Sequence, residues 1–448
     1  MQISKDRLKE KISEWAVVDD TEDYRLDRAI YTDPDLFEFE LRHIFENNWV
    51  YVAHESQVRN RNDFITTWVG RQPVIVTRDN TGVLRCMLNV CSHRGAVVCR
   101  SKAGNKRNHM CRFHGWVYSS RGDLIGVTTE ERGAYPDSFS REKLGMPQLR
   151  VESYRGFIFA SINPGVQPLD EYLGEAYKLI DLVLDQTPDA KWEVVRGTTM
   201  YTYPGNWKLS AENGLDGYHA GSVHASYVQQ TMRRMKGESA LDTKALDLSG
   251  IDRYKGGFQA FENGHGVIWS EYPNQTDRPT FQYRDYLLEK HGAAKTNWML
   301  ASIRNLLLAP NVYLMDSACT QLRIVRPISV DKTEVTTYCF APEGEEPAAR
   351  EKRLRQYEDF YNASGLATPD DLAEFTYCQM GFGGRAARWS DISRGGRAFE
   401  EGAGKMGAEI GFNAVLSGEN EPGNEGIYVA MYRDWRKRLL SALEKEIN

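Results

Sequence analysis

Two short segments of the chain each carry a cysteine and a histidine at the spacing of metal ligands. The first reads Cys91-Ser-His93 and the second Cys111-Arg-Phe-His114, with seventeen residues between His93 and Cys111. Zinc accepts two thiolates and two imidazoles, but finger-type zinc sites take both cysteines from one segment and both histidines from the other. A [2Fe–2S] cluster with two thiolates on one iron and two imidazoles on the other suits segments that each give one of each kind. The pattern therefore favours this mixed-ligand cluster over zinc.

A second group of potential ligands lies in the run Asp216-Gly-Tyr-His219-Ala-Gly-Ser-Val-His224. Two histidines and one carboxylate form the facial triad of non-haem Fe(II) oxygenases, which leaves coordination positions open for dioxygen. Asp216 and His219 are three residues apart, so on a helix they share one face. His219 and His224 lie roughly 140° apart around an ideal helix. A shared ion therefore requires a break in the helix, which we expect at Gly221-Ser222.

The carboxylate of this triad has two possible sources. Asp216 is adjacent in sequence, but histidine ligands usually need a hydrogen-bond partner for their second ring nitrogen, and Asp216 would also fit that role. The run Thr368-Pro-Asp370-Asp371-Leu-Ala-Glu374 would then supply the ligand from the start of a helix. Acidic residues are favoured in the first turn of a helix without any metal. Spacing alone therefore leaves Asp370 and Asp371 open.

The elements that position these residues follow from the periodicity of the chain. Residues 1–48 look helical, and residues 49–163 contain short β-rich runs and hairpins that end at Asn163-Pro164-Gly165, a predicted domain boundary. The later predictions are an amphipathic helix at Leu169 to Leu184, a strand in VVRGTTMYTY, a helix from about Trp207, strands near 310–341, and helices at 347–363, 369–379 and 432–445.

The composition is that of an ordinary globular protein. The 448 residues, 41% hydrophobic and 26% charged, suffice for about two or three domains. A net charge of −6 gives no reason to expect nucleic acid or a membrane surface as a partner. The N-terminus lacks an apolar signal segment, and no apolar run reaches the roughly 18 residues of a membrane span. Seven scattered cysteines are unlike a secreted disulfide framework, so we expect a cytoplasmic protein.

The motifs CSHRG…CRFHGW and NWKLSAENGLDGYHAGSVH resemble the two signatures of the large (α) subunit of Rieske non-haem iron ring-hydroxylating oxygenases. The resemblance covers essentially the whole chain, and NDFITTWVGRQPVIVTRDNTGVL and LRIVRPISVDKTEVTTYCFAPEG most resemble the benzoate, toluate and anthranilate branch. It implies an α+β protein in three parts. These are a helical segment at residues 1–40 that packs with the catalytic domain, an all-β Rieske [2Fe–2S] domain at 41–165, and a helix-grip-like catalytic domain at 166–448 whose large antiparallel sheet is packed by helices.

The resemblance also implies ligands for two metal groups. The cluster irons would be held by Cys91 and Cys111 on one side and by His93 and His114 on the other. The mononuclear Fe(II) would be held by His219, His224 and Asp371. Asp371 is preferred to Asp370 because it stands in the D-x3-apolar register of the family, which here ends at Phe375.

Asp216 matches the acid that links a cluster histidine of one subunit to an iron-ligating histidine of its neighbour. The pair Glu212-Asn213 precedes Asp216 by only two residues, where the naphthalene-type branch has three, so no role beside the iron is carried over to Asn213. After His224 the chain reads ASYVQQTMRRM, which differs from the expectation for benzoate enzymes and leaves the substrate open.

The activity implied is that of an oxygenase component. A separate NAD(P)H-dependent flavin and iron–sulfur reductase would supply electrons to the cluster, which passes them to Fe(II) across a subunit boundary, with O2 as co-substrate. The expected reaction is cis-dihydroxylation of an aromatic carboxylate of the benzoate, anthranilate or salicylate type, leading towards a catechol. A small β subunit in an α3β3 assembly is expected from the branch. The alternatives are monohydroxylation of a salicylate-like substrate, a Rieske electron carrier without a substrate, and a zinc-stabilised binding module.

Two further patterns bear on substrate and partners. Alternation along the strand-like run from Thr320 to Arg326 places Arg323 on one face, where it is a candidate for binding the substrate carboxylate; the alternative is a solvated charge. The run Gly402-Ala-Gly404-Lys-Met-Gly407 matches a dinucleotide-binding glycine pattern. No strand is expected before it, so we predict a loop there and expect NAD(P)H and flavin to bind a separate chain.

Overall fold

The computed structural model describes residues 5–19, 23–133, 135–237, 254–272, 274–317 and 319–447. The chain divides into two units, a smaller one of Ile44–Leu169 and a larger one of Met1–His43 with Asp170–Asn448. The helices of the described residues are α1 (Lys5–Glu14), α2 (Pro34–Glu40), α3 (Leu169–Leu173), α4 (Tyr177–Leu184), α5 (Trp207–Asn213), α6 (Ala220–Val223), α7 (Ala225–Met235), α8 (Arg284–Leu300), α9 (Pro347–Phe360), α10 (Thr368–Phe382), α11 (Gly404–Ile410) and α12 (Gly426–Ile447).

The two longest strands of the described residues, β19 and β20, lie in the second half of the chain. They are β1 (Ala16–Val17), β2 (Arg25–Asp27), β3 (Val50–His54), β4 (Asp63–Val69), β5 (Gln72–Arg78), β6 (Leu84–Leu88), β7 (Ala103–Asn105), β8 (Asn108–Met110), β9 (Val117–Ser119), β10 (Leu124–Gly126), β11 (Gln148–Tyr154), β12 (Phe157–Ser161), β13 (Trp192–Val194), β14 (Thr199–Tyr203), β15 (Gly256–Ala260), β16 (Gly266–Glu271), β17 (Ser302–Leu308), β18 (Val312–Asp316), β19 (Thr320–Ser329), β20 (Lys332–Pro342), β21 (Trp389–Asp391), β22 (Phe399–Glu401) and β23 (Leu416–Glu419).

The smaller unit is built from antiparallel strands, as its β-rich sequence predicts. A seven-stranded sheet has the order β3-β12-β11-β6-β5-β4-β7, and a three-stranded sheet has the order β10-β9-β8. The predicted hairpins are confirmed, since β4 pairs with β5 and β5 with β6 in antiparallel register. Cys91 and Cys111 are part of a buried cluster with Trp116, Tyr118 and other apolar residues. The core of this unit therefore holds two of the predicted cluster ligands.

The larger unit has one large antiparallel sheet with helices packed on it. The strand order is β13-β20-β19-β18-β17-β16-β15-β23-β22, and β14 pairs with β20 beside β13. Alternating and continuous apolar runs in β17 to β20 bury residues such as Leu306, Leu314 and Leu322 completely. Helices α5, α9 and α12 contact this sheet. The predicted helices at 347–363, 369–379 and the C-terminus are confirmed as α9, α10 and α12.

A buried ion pair anchors α5 to two other helices. Glu40, at the end of α2, is completely buried and accepts hydrogen bonds from Lys208 Nζ at 2.7 and 2.8 Å. The indole N–H groups of Trp207 and Trp435 also donate to Glu40, at 3.1 and 2.7 Å. Burial lowers the pKa of Lys208, and the charge of Glu40 opposes that effect. The pair fixes α5, whose last residue is Asn213, against α2 and α12.

Two predictions about elements were wrong. The glycine pattern at 402–407 is not a loop, because β22 precedes it and α11 begins at Gly404. The polar strand β22 has no apolar alternation of its own and is formed by antiparallel pairing with β23, so it does not create a parallel βαβ unit. The segment 1–48 contains α1 and α2 but also the strands β1 and β2. No helix in the described ranges combines the length and apolar character needed to cross a membrane.

Candidate metal centres

The two predicted cluster segments of the smaller unit have the same backbone geometry. In each loop the cysteine N–H donates to the carbonyl five residues later, and a glycine N–H donates back to the cysteine carbonyl. These bonds are Cys91 to Ala96 at 2.8 Å, Cys111 to Trp116 at 2.7 Å, Gly95 to Cys91 at 2.9 Å and Gly115 to Cys111 at 3.0 Å. Gly95 and Gly115 have φ angles of 73° and 74°, a conformation that favours glycine. Two matching loops therefore present the cysteine and histidine pairs.

The two cysteines and the two histidines of these loops differ in their exposure to solvent. The Cys91 and Cys111 thiols are 3% and 1% exposed, whereas His93 is exposed and His114 half-buried. The two imidazole rings lie 4.5 Å apart between centroids, and His93 stacks on Trp116 at 4.9 Å. A buried thiol pair below an outer imidazole pair fits a [2Fe–2S] cluster with two sulfur ligands on the inner iron and two nitrogen ligands on the outer one.

Neighbouring hydroxyl groups hold the ligand loops in place. The Tyr118 hydroxyl lies 3.3 Å from Cys91 Sγ and accepts the Ser92 N–H at 3.0 Å. Burial raises the pKa of Tyr118 to about 12, so its hydroxyl keeps a proton that it can donate to the sulfur. In the second loop, Thr128 Oγ1 donates to the His114 carbonyl at 2.7 Å. Hydrogen bonds of this kind orient ligands and tune a cluster.

In the larger unit, His219, His224 and Asp371 converge. Nε2 of His219 lies 3.3 Å from Nε2 of His224, and these two atoms lie 3.4 and 3.5 Å from Asp371 Oδ1. Ligands about 2.1 Å from one ion are separated by roughly 3.0–3.4 Å at octahedral or tetrahedral angles. The three atoms therefore have the spacing of ligands on one face of a single metal ion, which leaves the opposite positions open.

The Asp216–His219 proximity comes from a turn rather than from the helix face that the spacing predicted. Residues 214–219 are not helical, and Asp216 Oδ1 accepts the N–H groups of Tyr218 at 2.6 Å and His219 at 3.2 Å. Asp216 thereby closes the turn that leads into α6. Its second oxygen lies 3.3 Å from His219 Nδ1. Asp216 thus contacts the ring nitrogen that faces away from the triad.

The helix break also lies elsewhere than predicted. Gly221 and Ser222 are inside the single helical turn α6, and the chain leaves helical geometry at His224, with φ −92° and ψ 21°, before α7 begins. A one-turn helix has no periodicity that a sequence pattern could reveal. The break turns His224 Nε2 towards His219 Nε2.

The structure places Asp371, and not Asp370, beside the histidines. Asp371 is 6% exposed at the start of α10, whereas Asp370 is half-buried and accepts a hydrogen bond from Ser226 at 2.8 Å. Consecutive helical residues point about 100° apart, so only one of the two reaches the triad. Burial would raise the pKa of Asp371, but the adjacent histidines hold it below its usual range.

The pKa values of the two triad histidines shift in opposite directions. Burial disfavours the charged His219 ring, yet the Asp216 and Asp371 carboxylates, which accept hydrogen bonds from the charged ring, raise its pKa to about 10. Burial lowers the pKa of His224, which keeps that ring neutral. A divalent ion held by the triad would supply positive charge beside the Asp216 and Asp371 carboxylates. The donor set therefore fits a mononuclear iron.

Sequence reasoning missed Asn213, which contacts the triad. Its Nδ2 donates to Asp371 Oδ1 at 3.1 Å and lies 3.3 Å from His219 Nε2, while its Oδ1 accepts from Arg323 Nη1 at 3.1 Å. The different spacing between Asn213 and Asp216 had argued against such a position. The signal that was available is that Asn213 ends α5, directly before the turn that carries Asp216.

A cavity of about 100 Å³ opens beside the triad. Its apolar wall includes Ile268, Ile303, Met315 and Phe360, and its polar wall includes Asn213, Asn305, Ser317, Tyr361 and Arg323. Arg323 is 6% exposed, so it is not a solvated charge on a strand. Its Nε has no hydrogen-bond partner, and no carboxylate of the described residues lies within 4.0 Å of its guanidinium. The cavity therefore has a buried cation at its wall that lacks a counter-ion.

Comparisons with known proteins agree with both units. Residues 48–154 match the family model for the Rieske [2Fe–2S] domain, and residues 189–435 match the model for the ring hydroxylating alpha subunit catalytic domain. The chain is 46% identical over 427 residues to the toluate 1,2-dioxygenase alpha subunit of Pseudomonas putida, covering 94% of this chain and 92% of that protein. It is 43% identical to the anthranilate 1,2-dioxygenase large subunit of Acinetobacter baylyi, covering 94% and 91%.

A further relative and a solved structure agree with these family matches. The 2-halobenzoate 1,2-dioxygenase large subunit of Burkholderia cepacia is 44% identical over 428 residues, covering 94% of this chain and 91% of that protein. Among solved structures, naphthalene 1,2-dioxygenase from Rhodococcus sp. bound to indole superposes with a TM-score of 0.80 at 24% identity, covering 98% and 97% of the two chains. At this identity the superposition shows a shared fold.

Proposed function

Because the chain belongs to the ring-hydroxylating oxygenase alpha subunits with a Rieske domain, we propose that it hydroxylates the ring of an aromatic carboxylate. Members of this family hold a Rieske [2Fe–2S] cluster and a mononuclear iron and use O2. The observation that carries the choice of substrate is Arg323, a buried guanidinium at the cavity wall without a carboxylate partner. A substrate carboxylate would supply that missing partner in a charge-assisted hydrogen bond. The relatives named for toluate, 2-halobenzoate and anthranilate support this substrate class.

We assign the metal ligands from the geometry of the two centres. The cluster would be held by Cys91, Cys111, His93 and His114, and the mononuclear iron by His219, His224 and Asp371. When bound, the cluster supplies electrons and the iron binds and activates dioxygen. Asp216, against His219 Nδ1, holds the tautomer in which Nε2 is free for the metal.

The position of Arg323 also suggests which ring carbons react. Arg323 is hydrogen-bonded to Asn213, which is hydrogen-bonded to the proposed iron ligand Asp371. A carboxylate on Arg323 would therefore lie next to the triad, and the ring carbon that bears it, together with the ortho carbon, would be the part of the ring nearest to the triad. The apolar wall of Ile268, Met315 and Phe360 would pack the ring and exclude water. The product would be a cis-dihydrodiol oxygenated at C1 and C2, on the way to a catechol.

The resemblance to the benzoate branch extends the proposal to partners. A separate NAD(P)H-dependent flavin and iron–sulfur reductase would supply electrons, and a small β subunit would complete an α3β3 assembly. Electrons would pass from the cluster of one α subunit to the iron of its neighbour, with Asp216 at that boundary. Seven unpaired cysteines suit a reducing cytoplasm as the location.

The test is product analysis with the reductase present. Benzoate, anthranilate, salicylate and 2-halobenzoates would be offered under labelled dioxygen, with toluene as a neutral control. We expect one of the acids to drive oxygen uptake and to yield a product that contains both labelled atoms. Oxygen uptake that is no faster with any of the acids than without substrate would refute the proposal.

The iron ligands are tested by a pair of neighbouring aspartates. We expect Asp371→Asn to keep the cluster colour and acid-labile sulfide but to lose about one iron per chain, because one ligand of three becomes a neutral amide. Asp370→Asn, one residue away and half-buried outside the triad, is the control and should retain that iron. Equal iron content in the two variants would mean that Asp371 is not a ligand.

A further inference from the structure

Asn213 is the one side chain that hydrogen-bonds to both Arg323 and Asp371 among the described residues. Its amide can be oriented in only one way, because a guanidinium donates and never accepts, whereas a carboxylate accepts. The Asn213 oxygen must therefore face Arg323, and its nitrogen must face Asp371. In the hydrogen-bonded series, Arg323 therefore donates to Asn213, and Asn213 donates to Asp371.

The nitrogen of Asn213 has two neighbours, His219 Nε2 at 3.3 Å and Asp371 Oδ1 at 3.1 Å. A metal ion bound to Nε2 of His219 would leave that atom with neither a proton to donate nor a lone pair to accept, so it could form no hydrogen bond with the amide in either orientation. Asp371 remains as the acceptor, and the amide is then held more firmly in the orientation that presents its oxygen to Arg323. Filling the metal site therefore favours the position of Arg323 that the carboxylate needs.

The reverse effect follows from charge. With the substrate absent, the positive charge of Arg323 is unpaired and acts on a buried site that must accept a divalent cation. A substrate carboxylate would pair with Arg323 and neutralise its charge. Asn213 would then lie between this ion pair and Asp371, and the repulsion between Arg323 and a divalent cation would be smaller. In a buried site such interactions are weakly screened. Each ligand thus improves the site for the other.

We propose that Asn213 is a positioning residue that couples the two halves of the cavity, so that an aromatic carboxylate on Arg323 and the divalent metal ion on the triad bind cooperatively through its amide. This inference rests on the proposed function, because it takes the substrate carboxylate as the ligand of Arg323. It adds that one side chain makes the affinity of the metal site depend on whether the substrate is bound.

The experiment measures binding and not turnover. Protein that retains its cluster but has been stripped of mononuclear iron is titrated anaerobically with benzoate by calorimetry, with and without Fe(II). We expect Fe(II) to lower the dissociation constant of benzoate about 10-fold, within the usual range of coupling between sites. Linkage then requires benzoate to tighten Fe(II) binding by the same factor. Benzamide, which is neutral, should show no such dependence.

Asn305 provides a matched control. It lines the same cavity, is half-buried like Asn213 and makes no hydrogen bond to Arg323 or to the triad. We expect Asn213→Leu to reduce the coupling factor to less than about 3-fold, whereas Asn305→Leu keeps it even if the affinity for benzoate itself changes. Asn213→Asp is the second variant, since it keeps the size and the acceptor but loses the donor towards Asp371. It should also reduce the coupling.

The outcomes separate the two claims. If Asn213→Leu or Asn213→Asp shows the wild-type coupling factor with its cluster absorbance intact, the inference about Asn213 is wrong and the proposed function stands. If benzoate binds the wild-type protein with no dependence on Fe(II), the same conclusion holds. If neither benzoate, anthranilate, salicylate nor a halobenzoate binds the wild-type protein, the proposed substrate class is wrong, and the inference fails with it.

Discussion

Four arginine side chains are buried in the described part of the larger unit, and they differ in their partners. Arg278 and Arg304 pair with Asp316, and Arg353 pairs with Glu345. Arg323 alone of the four has no carboxylate within 4.0 Å. Burial of an unpaired charge is costly, so the fold tolerates Arg323 for a reason other than stability. A ligand that brings its own carboxylate is the explanation that the cavity offers.

Replacing Arg323 should therefore impair binding of the acid more than the reaction itself. A hydrogen bond to a charged group contributes about 2 kcal/mol, so we expect Arg323→Gln to raise KM for benzoate about 30-fold with a smaller change in kcat. Steady-state kinetics at saturating oxygen measures both constants. Arg326→Gln is the control, because Arg326 lies on the same strand but pairs with Glu334. An unchanged KM for the acid in Arg323→Gln would exclude Arg323 from substrate binding.

The sequence indicated which types of side chain form the candidate sites better than it indicated which individual residues do so. The sequence could propose candidate cluster ligands because Cys91 and His93, and their counterparts, lie in local loops whose spacing is fixed by the backbone. The choice between Asp370 and Asp371 depends on which face of α10 meets α6, which is a matter of tertiary packing. Asn213 was missed for the same reason, since its contacts with Asp371 and Arg323 come from distant elements.

At the scale of elements, several long segments were predicted, but the 17-residue helix α8 and the shortest elements were not. The predicted helices α9, α10 and α12 and the strands β18 to β20 each span several residues that favour one type of element. The one-turn helix α6 and the polar strand β22 carry no such pattern. The helix follows the turn that Asp216 closes, and the strand forms by pairing with β23, so both depend on residues outside the element.

The two cluster loops make a matched pair for a test of local strain. Gly95 and Gly115 share the same positive φ, where alanine costs about 1 kcal/mol. A methyl group on Gly95 would meet nothing within 4 Å, whereas one on Gly115 would lie 2.5 Å from Thr128 Oγ1, which bonds the His114 carbonyl. We expect Gly115→Ala to lower cluster occupancy, measured by visible absorbance and acid-labile sulfide, more than Gly95→Ala. Equal loss in both variants would mean that strain alone governs these loops.

The Glu40–Lys208 pair predicts an order of stability for two variants. Glu40→Leu would leave Lys208 and the indole N–H groups of Trp207 and Trp435 buried without their acceptor. Lys208→Met leaves Glu40 with both indole donors. Breaking a buried pair costs about 3–5 kcal/mol, and unsatisfied donors add to that cost. We therefore expect a lower midpoint of thermal unfolding for Glu40→Leu than for Lys208→Met, measured by circular dichroism. The reverse order would show that Glu40 is not the centre of this anchor.

At the scale of the whole molecule, the two proposed metal groups belong to different units. The cluster loops lie in Ile44–Leu169, and the triad lies in Asp170–Asn448. Turnover requires electrons to pass from one to the other. The resemblance to the family implies that the cluster serves the iron of a neighbouring subunit, and this can be tested with two inactive variants.

One variant would carry Cys91→Ser and lack the cluster, and the other would carry His224→Ala and lack the mononuclear iron. Each is expected to be inactive alone. Co-expressed with different affinity tags and purified through both, they form hybrid rings. In any mixed ring of three with head-to-tail contacts, one of the three boundaries joins an intact cluster to an intact iron. Transfer across the boundary therefore predicts about one third of the wild-type rate of substrate-dependent oxygen uptake. Transfer within a chain predicts none, because neither variant holds both groups, and inactive hybrids with intact subunit exchange would decide for that route.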